Sequence, residues 1–581
     1  MRVNDSVTVA AQTSEADVGL KSAPQCAAAF CGSGFNPTII CRTAPQGFLH
    51  PCGEVRPALK AFGLLCGLLL ALSPMSVAAA DEAGQETLRF AIARYAVEGA
   101  TLLTPAEIEA AVAPFVGPDR DFSAVQSALE AIEELYAQRG YSAVHVLLPV
   151  QELEAGRVRF EVVEGRYGKV TVKNNRFFSE ANVLNAIPSV RSGGVPQARQ
   201  VARELRLANE NPARQMNVVL KGGERDDELD ASVQVSDSKF SQWTVTLDNS
   251  GTEDTGRSRL GMAYRHANLF DRDQVGQVQV QISPQHTERV KVIGGSYKIP
   301  LYQYGHSVEF FGAYSNINAL VGGLSNFQGG GLMFSSRYNV PMERRGTFDP
   351  RLTFGLDWRR FSKVELTSPP PTVLYDDIVV TPLSVAYATQ GRLGKGDVGL
   401  NASLTINVPV ASGGKSADFA AYDHINPDDP TPGYKVLRFG ASYFTAFAKD
   451  WQWRAAFSGQ WSNDLLIQGE QIRLGGADGV RGFSEGSETG ERGGKLNLEL
   501  YAPAWEMGTG SVRGLLFADA GSVQPKSGDS VSIASMGFGL RASYSDSLAL
   551  RLDAGRIAKA GTDPKQAQGD WRLHASLSGT F

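Results

Sequence analysis

The chain has 581 residues, too many for one ordinary domain, so at least two units with their own cores are expected. Its 56 Lys and Arg against 61 Asp and Glu leave a formal charge of -5, which builds no strong field and argues against a nucleic-acid partner. All five cysteines (Cys26, Cys31, Cys41, Cys52, Cys66) precede Asp81, so structural zinc, other thiolate metal sites and cysteine nucleophiles are not expected beyond it.

In chain order, the first feature is the apolar run AFGLLCGLLLAL, Ala61 to Leu72, with Arg56 and Lys60 before it and Ala78 and Ala80 after it. This is the pattern of a secretory signal, too short to span a bilayer, with cleavage expected before Asp81. Residues ahead of Arg56 have no place in such a signal and read as a start assigned too early, with Val55 as the expected initiator. Residues 1–80 are therefore expected to be a spurious extension plus the signal peptide. Beyond Ala80 no stretch approaches 18 uninterrupted apolar residues, so a membrane-inserted form has to be a β-barrel.

Two α/β units follow, each in the order strand, helix, helix, strand, strand. In the first (88–165) a strand is expected from Leu88 to Val97, then a helix starting at the capping signature Thr104-Pro105-Ala106-Glu107. A second helix aligns Phe122, Val125, Leu129, Ile132 and Tyr136 on one face and stops at Gly140. Strands Ala143 to Leu148 and Arg157 to Val163 close the unit. The second (166–237) repeats this with strand Lys169 to Lys173, helices Ser179 to Ile187 and Val195 to Asn209, and strands Met216 to Lys221 and Leu229 to Val235. With its segments RFFSEANVLNAIP and LANENP, the pair resembles tandem POTRA domains, the periplasmic modules that precede certain outer-membrane barrels.

From Ser241 to Phe581 short alternating runs replace helical periodicity. Leu496, Leu498 and Leu500 alternate with Lys495, Asn497 and Glu499, and Val278 and Val280 with glutamines. Short links near 269–274, 303–305, 342–346, 391–396, 448–450, 505–510 and 545–547 alternate with mostly longer ones, the longest at 362–378, 411–433 and 463–494. Short periplasmic turns and long external loops predict a transmembrane barrel of about sixteen antiparallel strands. The last strand puts Trp571, Leu573, Ala575, Leu577, Gly579 and Phe581 on one face, and its terminal aromatic resembles the outer-membrane sorting signal.

The longest external loop carries LGGADGVRGF, Leu474 to Phe483, and the thirteenth strand carries FADAG, Phe517 to Gly521. These resemble the VRG(F/Y) loop tip and the FxDxG barrel motif of TpsB-type two-partner secretion transporters, the secretion and activation proteins of filamentous haemagglutinins and haemolysins. The resemblance covers Leu88 to Phe581. It implies a loop tip of Val480, Arg481, Gly482 and Phe483 folded inward, with Arg481 paired to Asp519 on the wall between Phe517 and Gly521, in a wet lumen. It also implies a secreted, β-helical TpsA-type exoprotein as partner, outer-membrane lipid around the barrel, and insertion by the barrel-assembly machinery. The alternative within the superfamily is a barrel-assembly or autotransporter-assembly factor, but those typically carry three or more POTRA units.

Partner capture is expected at exposed sheet edges, with Val144 and Val146 on one strand, Val218 and Leu220 on the other, and a groove beside Val201 and Leu205. Many family members have a plug helix ahead of the first POTRA unit; with only Asp81 to Thr87 before Leu88, none is expected here. No cofactor, metal or catalytic constellation is read: the histidines are scattered, G-x-S-x-G and H-E-x-x-H are absent, and His574 is expected to face the lumen or an interface.

Overall fold

The computed structural model describes residues 88–581 apart from 153–154, 226, 253–254, 289, 317–329, 367–371, 425–427 and 546. The signal segment, its cleavage site and any plug lie outside the described residues. Residues up to Glu164 form one compact unit and Gly165–Phe581 another.

In the first unit, β1 (Phe90–Ile92) pairs with β3 (Gly117–Arg120), while β2 (Arg94–Glu98), β4 (Val144–Leu147) and β5 (Arg157–Glu164) form a three-stranded sheet in the order β2-β5-β4. Two helices cover it, α1 (Pro105–Val112) and α2 (Phe122–Gln138). α1 starts with the capping box read from the sequence: Thr104 and Glu107 satisfy each other's backbone amides. The single expected strand over Leu88 to Val97 is instead split, because its halves pair antiparallel to β3 and parallel to β5 on different sheets. The α2 face also differs at its start. Phe122 is 63 % exposed at the first helical position, and Ala128 joins Val125, Ile132 and Tyr136 in the core.

The second α/β domain has β6 (Arg166–Lys173), α3 (Glu180–Asn185), α4 (Ala198–Ala208), β7 (Arg214–Gly222) and β8 (Glu228–Asp237), with sheet order β6-β8-β7. Its apolar core extends to Ala267 and Tyr302 of the barrel. At this seam the buried Arg214 of β7 donates to Asp273 Oδ2 at 2.5 Å and to Asn182 Oδ1 at 2.5 Å, while Tyr302 also donates to Asp273 at 2.6 Å. The domain therefore seats on the periplasmic turn after the second barrel strand.

The barrel is closed and antiparallel, with sixteen strands running from Ser241–Asp248 to Trp571–Thr580. The eighth is interrupted at Thr381 (Ile378–Val380, Pro382–Leu393) and the twelfth between Tyr501 and Trp505 (Arg492–Tyr501, Trp505–Met507). The last strand pairs with the first, and Phe581 exchanges both backbone hydrogen bonds with Trp243, at 2.9 and 3.0 Å. Side chains on the outer face, such as Val278, Leu496, Leu498, Trp571 and Leu573, are exposed although apolar, which is stable only against lipid. Among the described residues no helix is long and apolar enough to cross a membrane.

Candidate functional site

The loop between the eleventh strand (Trp451–Trp461) and the twelfth does not arch into solvent. Its stem is a two-stranded hairpin, Ile472–Leu474 against Glu488–Gly490, and the tip folds back against the inner wall. Glycines make the turn: Gly475, Gly476 and Gly482 have φ of 83°, 98° and 92°, in the left-handed region that side chains resist. Gly482 lies against Gly555 of the fifteenth strand, where an added Cβ would stand 2.7 Å from the Gly482 nitrogen. Leu474, Val480 and Phe483 bury themselves against Val523, Ile533 and Ile557 of strands thirteen to fifteen, so the tip is an apolar wedge as well as a charged one.

Within that wedge Arg481 is only 2 % exposed. Its Nε donates to Asp519 Oδ2 at 2.7 Å and its Nη2 to Oδ1 at 2.8 Å, a bidentate fork, and its backbone N–H donates to Oδ2 at 3.1 Å. Its guanidinium carbon lies 3.6 Å from the centre of the Phe517 ring. The FADAG motif thus supplies alternate lumen-facing residues of the thirteenth strand (Gly510–Gln524): Phe517 as a platform, Asp519 as the fork's partner, and Gly521 as a gap. At Gly521 a Cβ would press Leu474 at 2.9 Å.

The pairing is wider than the two residues read from the motifs. Arg481 Nη1 also donates to Glu499 at 2.8 Å and stands 3.7 Å from Asp553. Glu499 takes Arg454, Asp553 takes Arg541 and Arg551, and Arg551 reaches Asp478 of the loop at 2.6 Å. Asn497 donates both to Asp519 and to the Gly479 carbonyl. His574 faces the lumen and accepts the Gly482 N–H at 3.1 Å, and Gln566 accepts that of Ser484 at 2.8 Å. Glu499, Asp553 and His574 were legible as polar-face residues of their strands; the convergence of the two carboxylates on one guanidinium, and of His574 on the adjoining Gly482 amide, was not. The expected wet lumen is dry at this point, since Arg481 and Asp519 are both buried.

The periplasmic residues are placed differently from what a side-chain groove requires. β4 and β7 are edge strands of their sheets, but Val144, Val146, Val218, Leu220 and Val201 point into the domain cores, and Leu205 is only half-buried beside them. At these edges a partner meets backbone. In β4 the outward N–H of Val146 is already taken by Glu133 Oε1 at 3.1 Å. In β7 the outward N–H and carbonyl of Met216 are taken by the Asn209 side chain, at 2.8 and 2.9 Å. Val218 and Leu220 have the same orientation and, among the described residues, β7 has no strand on that side. Phe581 is 77 % exposed on the lipid face. Among the described residues no group of acidic, His and Cys side chains is placed to hold a metal.

Comparison with known proteins agrees with this architecture. Residues 228–542 match the family described as haemolysin secretion/activation protein ShlB/FhaC/HecB, and residues 90–165 match the ShlB-type POTRA domain. The outer membrane transporter CdiB of Escherichia coli O6:K15:H31 is 26 % identical over 77 % of this chain and 76 % of its own. The heme/hemopexin transporter protein HuxB of Haemophilus influenzae is 22 % identical over 76 % of this chain and 79 % of its own. The solved structure of CdiB from Escherichia coli superposes with a TM-score of 0.68, covering 88 % of this chain and 94 % of that one at 23 % identity, and so shares the fold. With two POTRA-like domains ahead of a sixteen-stranded outer-membrane barrel and an arginine-bearing loop folded into its lumen, the chain belongs to the ShlB/FhaC/HecB family of secretion proteins.

Proposed function

We propose that this protein exports one unfolded exoprotein of the TpsA type: the polypeptide docks in extended form on the POTRA sheet edges, enters the barrel when the Arg481 loop withdraws, and folds outside. The observation that carries this reading is a loop folded into the lumen and held on its wall by non-covalent contacts alone, an arrangement that can be reversed. The open edge of β7 at Val218 and Leu220 supports capture through main-chain hydrogen bonds, which tolerate many sequences. No step alters the substrate covalently, so the protein is not an enzyme and uses no cofactor. Folding at the cell surface withdraws the species that could slide back and so gives direction.

The test is co-expression with a large secreted polypeptide that requires this transporter, measuring what appears in the medium. Arg481→Ala is expected to reduce export strongly while the barrel still inserts. Export by Arg481→Ala at the wild-type level contradicts the proposed role of the loop.

A further inference from the structure

The same loop makes a second buried ionic contact before its tip, at Glu470. This residue ends a short 3-10 turn, Gln468–Glu470, and its carboxylate is fully buried. Arg359 of the seventh strand (Asp349–Phe361) donates to Oε1 at 2.7 Å, and Arg438 of the tenth (Lys435–Phe447) to Oε2 at 2.8 Å. Gln460 of the eleventh donates to the Glu470 carbonyl at 2.9 Å. Arg359 also pairs with Asp357, so the two arginines meet two carboxylates. All these side chains alternate with lipid-facing neighbours such as Leu356, Leu437 and Trp461, which places them on the lumen face.

Apolar packing surrounds the contact. Leu466 and Ile467 of the loop, Phe419 and Tyr422 of the neighbouring external loop, and Phe361 and Ile378 of the wall share one buried cluster. Gly469 admits the Phe361 ring, which a Cβ would meet at 2.2 Å. This cluster sits at the external ends of strands seven, eight, ten and eleven. The Arg481 contact sits on strands twelve, thirteen and fifteen, farther from the strand ends. One loop is therefore pinned on two parts of the wall by contacts of opposite polarity, an acidic side chain among arginines and an arginine among carboxylates.

We infer that Glu470 is a second anchor of this loop, and that the resting pore is shut by two closures, at Glu470 and at Arg481, either of which keeps the loop in the lumen when the other is lost. The inference rests on the barrel lying in the outer membrane and not on the identity or existence of an exported partner, so it can fail while the proposed export stands, and the reverse.

The test is the permeability of intact cells to a large glycopeptide antibiotic, together with ion conductance of the purified full-length protein in planar bilayers. Glu470→Ala, Glu470→Gln, Arg481→Ala and the double variants that join each Glu470 substitution to Arg481→Ala are compared, with heat-modifiable migration in gels reporting barrel folding. Each single is expected to raise permeability modestly, and the double to exceed either single by about tenfold, because two contacts on one element are coupled. Glu470→Gln keeps the shape and the hydrogen-bonding oxygen, so it carries the test in combination with Arg481→Ala if the alanine variant does not fold. A double variant no leakier than Arg481→Ala alone overturns the inference.

Discussion

The loop tip in the lumen and the β7 edge of the second POTRA domain treat polar groups in opposite ways. At the tip, Arg481 is satisfied by a bidentate carboxylate, a second carboxylate and an aromatic ring, and the backbone N–H groups of Arg481 and Gly482 are accepted by wall side chains and that of Ser484 by Gln566 of the last external loop. At the edge, Asn209 satisfies Met216, and the next outward-facing positions, Val218 and Leu220, meet no further strand among the described residues. Density of satisfied contacts makes a site costly to open; unspent donors make one ready to bind. A secretion pore needs both, and they lie in one compact unit of the chain.

The largest expected effect comes from breaking the tip. Arg481→Ala leaves Asp519 buried with Asn497 as its remaining side-chain partner, a loss of about 3–5 kcal/mol for a buried charge pair deprived of one member. Conductance recordings should show a closed state that is modestly shorter and rarer, because Glu470 still anchors the loop before its tip. Asp519→Ala should do less, because Arg481 keeps Glu499 at 2.8 Å and Asp553 nearby. The double variant should be little worse than Arg481→Ala, and strictly additive losses would mean that the two residues act separately.

Next comes the edge. Val218→Pro removes an N–H that points away from β8, so the ladder within the sheet survives while a docking donor is lost. Binding of the exoprotein's N-terminal segment should weaken by about tenfold, the loss of roughly one main-chain hydrogen bond. Unchanged binding with an assembled barrel rules this edge out. Asn209→Ala sharpens the point from the other side: it uncaps Met216, which should cost the domain about 1 kcal/mol in denaturant unfolding yet leave binding intact or tighter.

The smallest effect concerns a satisfied polar group in the first domain. Burial pushes the Glu164 carboxyl up, but hydrogen bonds from the Thr101 hydroxyl and amide, the Leu102 amide and Tyr136 outweigh it and hold the group below the ordinary carboxylate range. A lowered folded-state value means stabilisation that is present above the unfolded value near about 4.3 and is lost as pH falls through the folded one. Thermal unfolding of the isolated first domain should therefore shift down between about pH 5 and pH 3, and Glu164→Gln should flatten that dependence.

Much of the architecture was legible in the sequence because it depends on period. Alternation at Leu496, Leu498 and Leu500 against Asn497 and Glu499 is a local signal, and the strands adopt it without exception there. The capping box at Thr104 is equally local. What sequence could not supply is convergence between distant strands: Glu499, Asp553 and His574 lie on three strands and meet only once the barrel closes. Gly555 reads as an ordinary strand glycine until Gly482 is laid against it. The edge valines illustrate the converse. Their alternation marks an inward face, which is why their side chains serve the core and only their backbone is left for a partner.

At rest the loop lies in the lumen, and Arg481 holds its tip against the wall there. All five cysteines precede residue 88, so Val480→Cys introduces a single thiol into the described part of the chain, at a position now fully buried. Labelling intact cells with a membrane-impermeant maleimide should be slow for Val480→Cys alone and at least about tenfold faster when Arg481→Ala is added. Rapid labelling of Val480→Cys at the same rate in both backgrounds would contradict the account, because the tip would then stand outside the lumen whether or not its arginine is present.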